Sequence, residues 1–195
     1  MPRTSGEQTK QRVVAEALRA FGERGYAATS LDDVAQGAGI RKQSLLYHFP
    51  SKEDLFAAAS LHAAGEVFET LDGSLREDDP GGLDRLTNIV GAVHDLASSR
   101  PEVVALIREV ARAGPPLSDI VAEALRPLVD AAVAWLEAAM EAGEVRRQDP
   151  RAALLTVYSA IVGHLTESSV RRVLMDGREP PPQELVAFLR AALAP

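Results

Sequence analysis

A chain of 195 residues, 46% of them hydrophobic and 25% charged, suffices for one compact domain or two small ones and is too apolar for bulk disorder. It has no cysteine, which excludes disulfides, thiolate metal sites and cysteine nucleophiles, and no run near 18 consecutive apolar residues or apolar leader, so a cytoplasmic protein is expected. The net charge of −7 is unevenly spread: residues 1–52 hold eight basic and five acidic side chains and all three lysines, while the remainder holds 13 basic and 23 acidic.

Helical periodicity dominates and strand alternation is nearly absent, so the expected fold is all-α with about nine helices. Residues 1–8 read as a flexible tail. A first helix is expected over Thr9–Arg24, with Val13, Val14, Ala17, Leu18 and Phe21 on one face and Gly25 just past its end. A short helix follows over Leu31–Gly37, with Ser30 as N-cap and Asp33 completing a capping box. Gly37-Ala38-Gly39 forces a turn, a third helix covers Arg41–His48, and Phe49-Pro50 ends it. Ser51-Lys52-Glu53-Asp54 opens a fourth helix that reaches about Leu75. Residues 76–82 are a polar breaker. A fifth helix covers 83–99, a sixth starts at Pro101 and stops before Gly114, and a seventh spans 118–142. Pro127 inside the seventh predicts a kink or a split. Asp149-Pro150 opens an eighth helix running to about Met175, and a ninth covers 183–194.

The segment 30–52 is the informative one. Two short helices joined by a Gly-containing turn make a helix-turn-helix. Ala35 is small where the second helix crosses the first, Gly39 permits the turn, and Val34, Ala38, Ile40 and Leu45 are spaced to pin the pair to the first helix. Arg41, Lys42, Gln43 and Ser44 then face outward, where they can donate to base edges and phosphates in a major groove. The basic bias of the head points the same way. A turn in an ordinary helical protein with a solvated basic surface is the alternative.

Tyr26-Ala-Ala-Thr-Ser-Leu-Asp-Asp-Val-Ala, Ala38-Gly39-Ile40 and Leu45-Leu46-Tyr47-His48-Phe49-Pro50-Ser51-Lys52-Glu53-Asp54-Leu55 resemble the N-terminal signature of tetracycline-repressor (TetR) family regulators. The likeness covers residues 10–56, about a quarter of the chain. It implies three divisions: the tail 1–8, a DNA-binding domain 9–52 and a helical effector-binding and dimerisation domain 53–195. It also implies a homodimer on a palindromic operator, most often a repressor, released by a small molecule. By the resemblance Lys42, Gln43 and Ser44 fall where members contact base edges and adjacent phosphates, while Ser30, Tyr47, His48 and Lys52 fall at backbone-contacting positions. The family usually has Ser or Thr where Arg41 stands, often Gly at Gln43, and an aromatic at Leu46. Arg41 forfeits a capping side chain and adds a cationic donor. Tyr47 and His48 can alternatively pack against the first helix, and Arg3 in the tail can reach a minor groove.

In the body, Leu154, Val157, Ile161 and Leu165 recur at spacings of three and four, and Leu185, Phe188 and Leu189 do so in the last helix. Both helices are expected to pack against their mates in a four-helix dimer interface, because reading two half-sites one turn apart needs a symmetric pair. The fourth to seventh helices are rich in small aliphatic residues, and a cavity there would be lined by Phe68, Val90, His94, Ile107, Trp135 and Tyr158. Plain core packing competes for each of the six. An apolar effector with one or two polar groups follows from this lining, acting by population shift. No phosphate loop, nucleophile elbow or His-Glu-x-x-His motif is present, so neither an enzyme nor a cofactor is expected. His62 and Glu66, four apart on a helix, make at most half a metal site, so no metal is expected. The competing reading is a helix-turn-helix protein with an architectural or partner-docking role and no effector.

Overall fold

A computed structural model of the chain describes residues 5–75, 83–166, 168–178 and 181–195, with the side chains of residues 5, 73–75, 166 and 168 left aside. The described residues form ten helices and no strand: α1 (Ser5–Ala28), α2 (Leu31–Gly37), α3 (Lys42–His48), α4 (Lys52–Leu75), α5 (Leu83–Ser99), α6 (Pro101–Ala113), α7 (Leu117–Glu141), α8 (Pro150–Thr166), α9 (Ser168–Leu174) and α10 (Pro182–Leu193). They fall into two compact units. The first comprises residues 1–67 and 100–125, the second residues 68–99 and 126–195. The expected polar breaker 76–82 and Arg3 lie outside the described residues.

Unit one is built on α1, which packs most extensively against α6 and also contacts α2 and α3. The apolar stripe of α1 is buried at Val13, Ala17, Leu18, Ala20 and Phe21. The expected start at Thr9 is late by four residues: the helix begins at Ser5, with Glu7 in a first turn whose free N–H groups favour an acid. The expected stop is where the regular helix ends, since Gly25 has φ 80° and ψ 165°, a conformation suited to glycine. Thr29, itself buried, donates its Oγ1 hydrogen bond to Ala20 O at 3.0 Å and Gly25 O at 2.9 Å, closing the end of α1. Phe21, Tyr26 and Phe56 form an aromatic cluster with centroids 4.8–5.9 Å apart.

Unit two holds α5, α8, α9 and α10. Its core gathers Leu86 and Val90 of α5, Leu136 and Met140 of α7, Val145 between α7 and α8, Val157 and Ile161 of α8, and Leu189 and Leu193 of α10. α10 packs on α5 and α8. Arg190 ties α10 to α5, donating to Asp84 Oδ1 at 2.6 Å and to the Leu83 carbonyl at 3.2 Å. Asp149 caps α8 by accepting the Ala152 N–H at 2.8 Å.

Of the kink or split expected at Pro127, the split does not occur: α7 is one helix through Pro127. Pro127 lies on the exposed side of α7, where a proline can be carried without burying an unpaired backbone group. The helix expected from Pro150 to about Met175 is described as α8 and α9, with residue 167 between them outside the described residues. The end near Met175 stands: Gly177, at φ 80°, donates its N–H to Arg172 O at 2.8 Å.

Candidate nucleic-acid interface

The head is assembled from local rules. The Ser30 Oγ accepts the Asp33 N–H at 3.1 Å, and Asp33 Oδ2 accepts both the Ser30 N–H at 2.8 Å and its hydroxyl at 2.6 Å. This reciprocal cap sets where α2 begins. It also holds the Asp33 carboxyl below its ordinary pKa, chiefly through the Ser30 side chain and then its backbone. At the other end the Ile40 N–H returns to Ala35 O at 2.9 Å, and Gly39 takes φ 67°, which turns the chain toward α3. Val34, Ala35, Ala38 and Leu45 are buried at 1%, 3%, 9% and 0% exposure, and Ile40 is half-buried. α3 is thus anchored on its inner side by Leu45, with Phe49 at 5% just beyond it.

The outer side of α3 is open. Arg41, at its N-cap with no side-chain cap bond, Lys42, Gln43 and Ser44 are all exposed. Tyr47 is 85% exposed and does not pack against α1. His48 is half-buried, with its ring edge-on to Tyr47 at 5.2 Å. Leu46 is 36% exposed, and Ser30 lies exposed ahead of α2. Lys42 is engaged: its Nζ donates to Asp32 Oδ2 at 2.7 Å. That carboxylate was not singled out from the sequence, because no spacing announces an ion pair between residues ten apart on two helices.

Lys52, in the first turn of α4, is half-buried with its ammonium 4.2 Å above the Tyr26 ring. The Tyr26 hydroxyl donates to Glu53 Oε1 at 2.8 Å. Burial and then this bond push the Tyr26 pKa up to about 12, and the same bond holds Glu53 below the ordinary carboxylate range. Ser51 caps α4 through the Asp54 N–H at 3.0 Å. The Tyr26 N–H reaches Glu109 Oε1 of α6 at 3.4 Å, linking residues 83 apart in the chain. These supports of Lys52 are long-range, and no sequence spacing announces them.

The candidates of the body are placed as follows. Val90 is buried in the core of unit two, with Trp135 half-buried against it. Phe68 and His94 are half-buried in unit two, Tyr158 is 50% exposed on α8, and Ile107 belongs to unit one. The Trp135 Nε1 is buried with no hydrogen-bond acceptor. Of the seven interface candidates, Val157, Ile161 and Leu189 are buried in the core of unit two, and Leu154, Leu165 and Leu185 are half-buried beside it. Phe188 is 67% exposed, and so are Leu155, Tyr158, Val173 and Leu174 by half or more. A hollow of about 470 Å³ opens between α8, α9 and α10, lined by Ala160, Gly163, His164, Arg171, Leu174 and Leu185 among others. His62 Nε2 lies 3.5 Å from Glu66 Oε1, but Glu66 also pairs with Arg100 at 2.9 Å. Among the described residues no group of three or more His, Asp or Glu could hold a metal, and no helix is long and apolar enough to cross a membrane.

A short helix pinned by its inner residues, presenting a cationic and polar edge after a tight turn, defines a helix-turn-helix DNA-binding head. Residues 13–59, about a quarter of the chain, match the family described as bacterial regulatory proteins, tetR family. The chain is 26% identical over 152 residues to the HTH-type transcriptional regulator RutR of Escherichia coli (strain K12), covering 77% of this chain and 71% of that one. Over 47 residues it is 43% identical to the biofilm operon icaADBC HTH-type negative transcriptional regulator IcaR of Staphylococcus aureus (strain Newman), covering 24% and 25% of the two chains. Among solved structures it is similar to AibR in complex with isovaleryl coenzyme A and operator DNA, with a TM-score of 0.76, 19% identity and coverage of 96% and 98%. At that identity the likeness is one of fold.

Proposed function

We propose that the protein is a ligand-responsive repressor, acting in the cytoplasm as a homodimer that reads a palindromic operator and is released by a small, largely apolar effector. The observation that carries this is the edge of α3: Arg41–Ser44 and Tyr47 all exposed, on a helix held from behind by Leu45 and Phe49. Such an edge fits a major groove, with Lys42, Gln43 and Ser44 toward bases and Ser30, Arg41, Tyr47, His48 and Lys52 toward phosphates. IcaR, similar over 47 residues, is a negative regulator. One short helix makes few base contacts, which favours a symmetric pair of heads. The dimer surface is drawn from α8 and α10, where Phe188 is joined by the exposed Leu155 and Tyr158, while Val157, Ile161 and Leu189 serve the core.

The hollow of about 470 Å³ in unit two has the size and mainly apolar walls of a small-molecule site, with the His164 and Arg171 side chains on its lining. The complex of AibR with an acyl coenzyme A and operator DNA supports the same division of labour between body and head. An effector acts by preferring a body conformation in which the heads no longer match adjacent grooves. The test is footprinting on genomic fragments, beginning with the region beside the protein's own gene. Discrete palindromic protection, at an affinity on the order of nanomolar at physiological salt, is expected. Protection at many unrelated sites favours the architectural reading, and no protection at all rejects a DNA-binding head.

A further inference from the structure

We infer that Asp32 is a specificity-determining residue of the head: it restrains Lys42 from indiscriminate phosphate contact and aims it at one base position. This rests on α3 being the helix that reads DNA. Lys42 opens α3, and its Nζ lies 2.7 Å from Asp32 Oδ2 in the first turn of α2. The pair joins the first turn of α2 to the first turn of α3, with both side chains open to solvent. Asp32 has no part in capping α2, which Ser30 and Asp33 accomplish between them. Its side chain is 67% exposed and that of Lys42 48%, so the pair has no role in the core.

At such exposure an ion pair is weak and a duplex can displace it. Its effect lies in the comparison between duplexes. A free lysine on its flexible stem accepts any phosphate within reach. Lys42 must instead exchange one anionic acceptor for another, and the Asp32 carboxylate repels phosphates nearby. An ammonium has three donors, and Asp32 occupies one. Where a base edge such as guanine O6/N7 stands in the direction the pair fixes, Lys42 can donate to it and keep its carboxylate. The favoured sequence then gains a contact that a random sequence obtains only by breaking the pair.

The experiment compares wild type, Asp32→Asn, Asp32→Ser, Asp32→Glu, Lys42→Ala and Asp32→Asn/Lys42→Ala by fluorescence anisotropy. Two duplexes serve as probes: one enriched by the wild type from a random library, and a shuffled sequence of equal composition. Asn and Ser are expected to raise affinity for the shuffled duplex and steepen its log K against log salt by about one unit. The ratio of enriched to shuffled affinity is expected to fall by about two- to fivefold, and Glu to retain most of it. Without Lys42, the Asn substitution should leave that ratio unchanged. An unaltered ratio in Asp32→Asn and Asp32→Ser, or an equal change with and without Lys42, overturns the inference while leaving the head a DNA reader. A wild type that binds both duplexes alike overturns the DNA-reading assignment as well.

Discussion

Tyr26 joins three parts of unit one: its ring supports the Lys52 ammonium, its hydroxyl is held by Glu53, and its N–H reaches Glu109 of α6. The hydroxyl is held in its neutral form, since burial first and the bond to Glu53 second push its pKa up to about 12. Ionising it places a phenolate beside a carboxylate in a partly buried site. In the unfolded chain the same group ionises near 10. A folded value above the unfolded one means that the contribution is fully present below pH 10 and is lost as pH rises through about 12. Alkaline denaturation of the wild type should therefore include a loss of stability over that interval, and Tyr26→Phe should remove it together with one late step in the tyrosinate absorbance. If the ring lost in Tyr26→Phe titrates near 10 in the folded protein, this account of the site is wrong.

At the scale of elements, the packing of α1 on α6 depends on one close approach. A Cβ added at Gly22 would stand 2.3 Å from Glu102 O and 2.8 Å from Glu102 Cα, both backbone atoms at the start of α6. Neither can rotate away, so Gly22→Ala must push the helices apart, and it is expected to cost about 1–3 kcal/mol in urea denaturation. Gly37→Ala makes the contrast. There the added atom meets Glu16 Oε1 at 2.1 Å, the far end of a half-buried side chain that can swing while Arg19 follows. Its cost should stay within about 1 kcal/mol, partly offset by the better helix propensity of alanine. Equal costs for the two would show that the backbone contact does not limit the packing. The helices themselves were legible because their ends are written locally: the Ser-x-x-Asp caps at 30–33 and 51–54, Gly25, Gly39 and the Pro101 and Asp149-Pro150 starts. Pro127 left a kink and a split both open, because its effect depends on whether water reaches the freed carbonyl, which a sequence does not state. The edge of α3 was readable from the turn and the apolar spacing behind it. Its neighbours Asp32, Tyr26 and Glu109 were not, since an ion pair over ten residues and a hydrogen bond over 83 arise only once the helices have packed.

At the scale of the whole molecule, the surface proposed for the homodimer makes a separable prediction. Phe188 is 67% exposed and Tyr158 50%, whereas Leu189 beside Phe188 is 2% exposed within the core. A large apolar ring left that open on a helix marks a contact surface more readily than an idle one when further apolar residues such as Leu155 lie exposed on a neighbouring helix. Replacing Phe188 or Tyr158 with Asp puts a charge on that surface without opening a cavity. Such variants should keep their urea midpoint as monomers yet sediment as a 20.8 kDa species, where the wild type is expected at twice that mass. Losing the dimer removes the linkage of two half-site contacts, so affinity for a full operator should fall toward that of an isolated half-site. Leu189→Ala is the control, because emptying a core position is expected to cost about 2–5 kcal/mol of stability whatever the assembly. If Phe188→Asp and Tyr158→Asp both sediment as the wild type does and bind operator equally well, the mates meet elsewhere. If the wild type itself is a monomer at micromolar concentration, the palindrome requires another explanation.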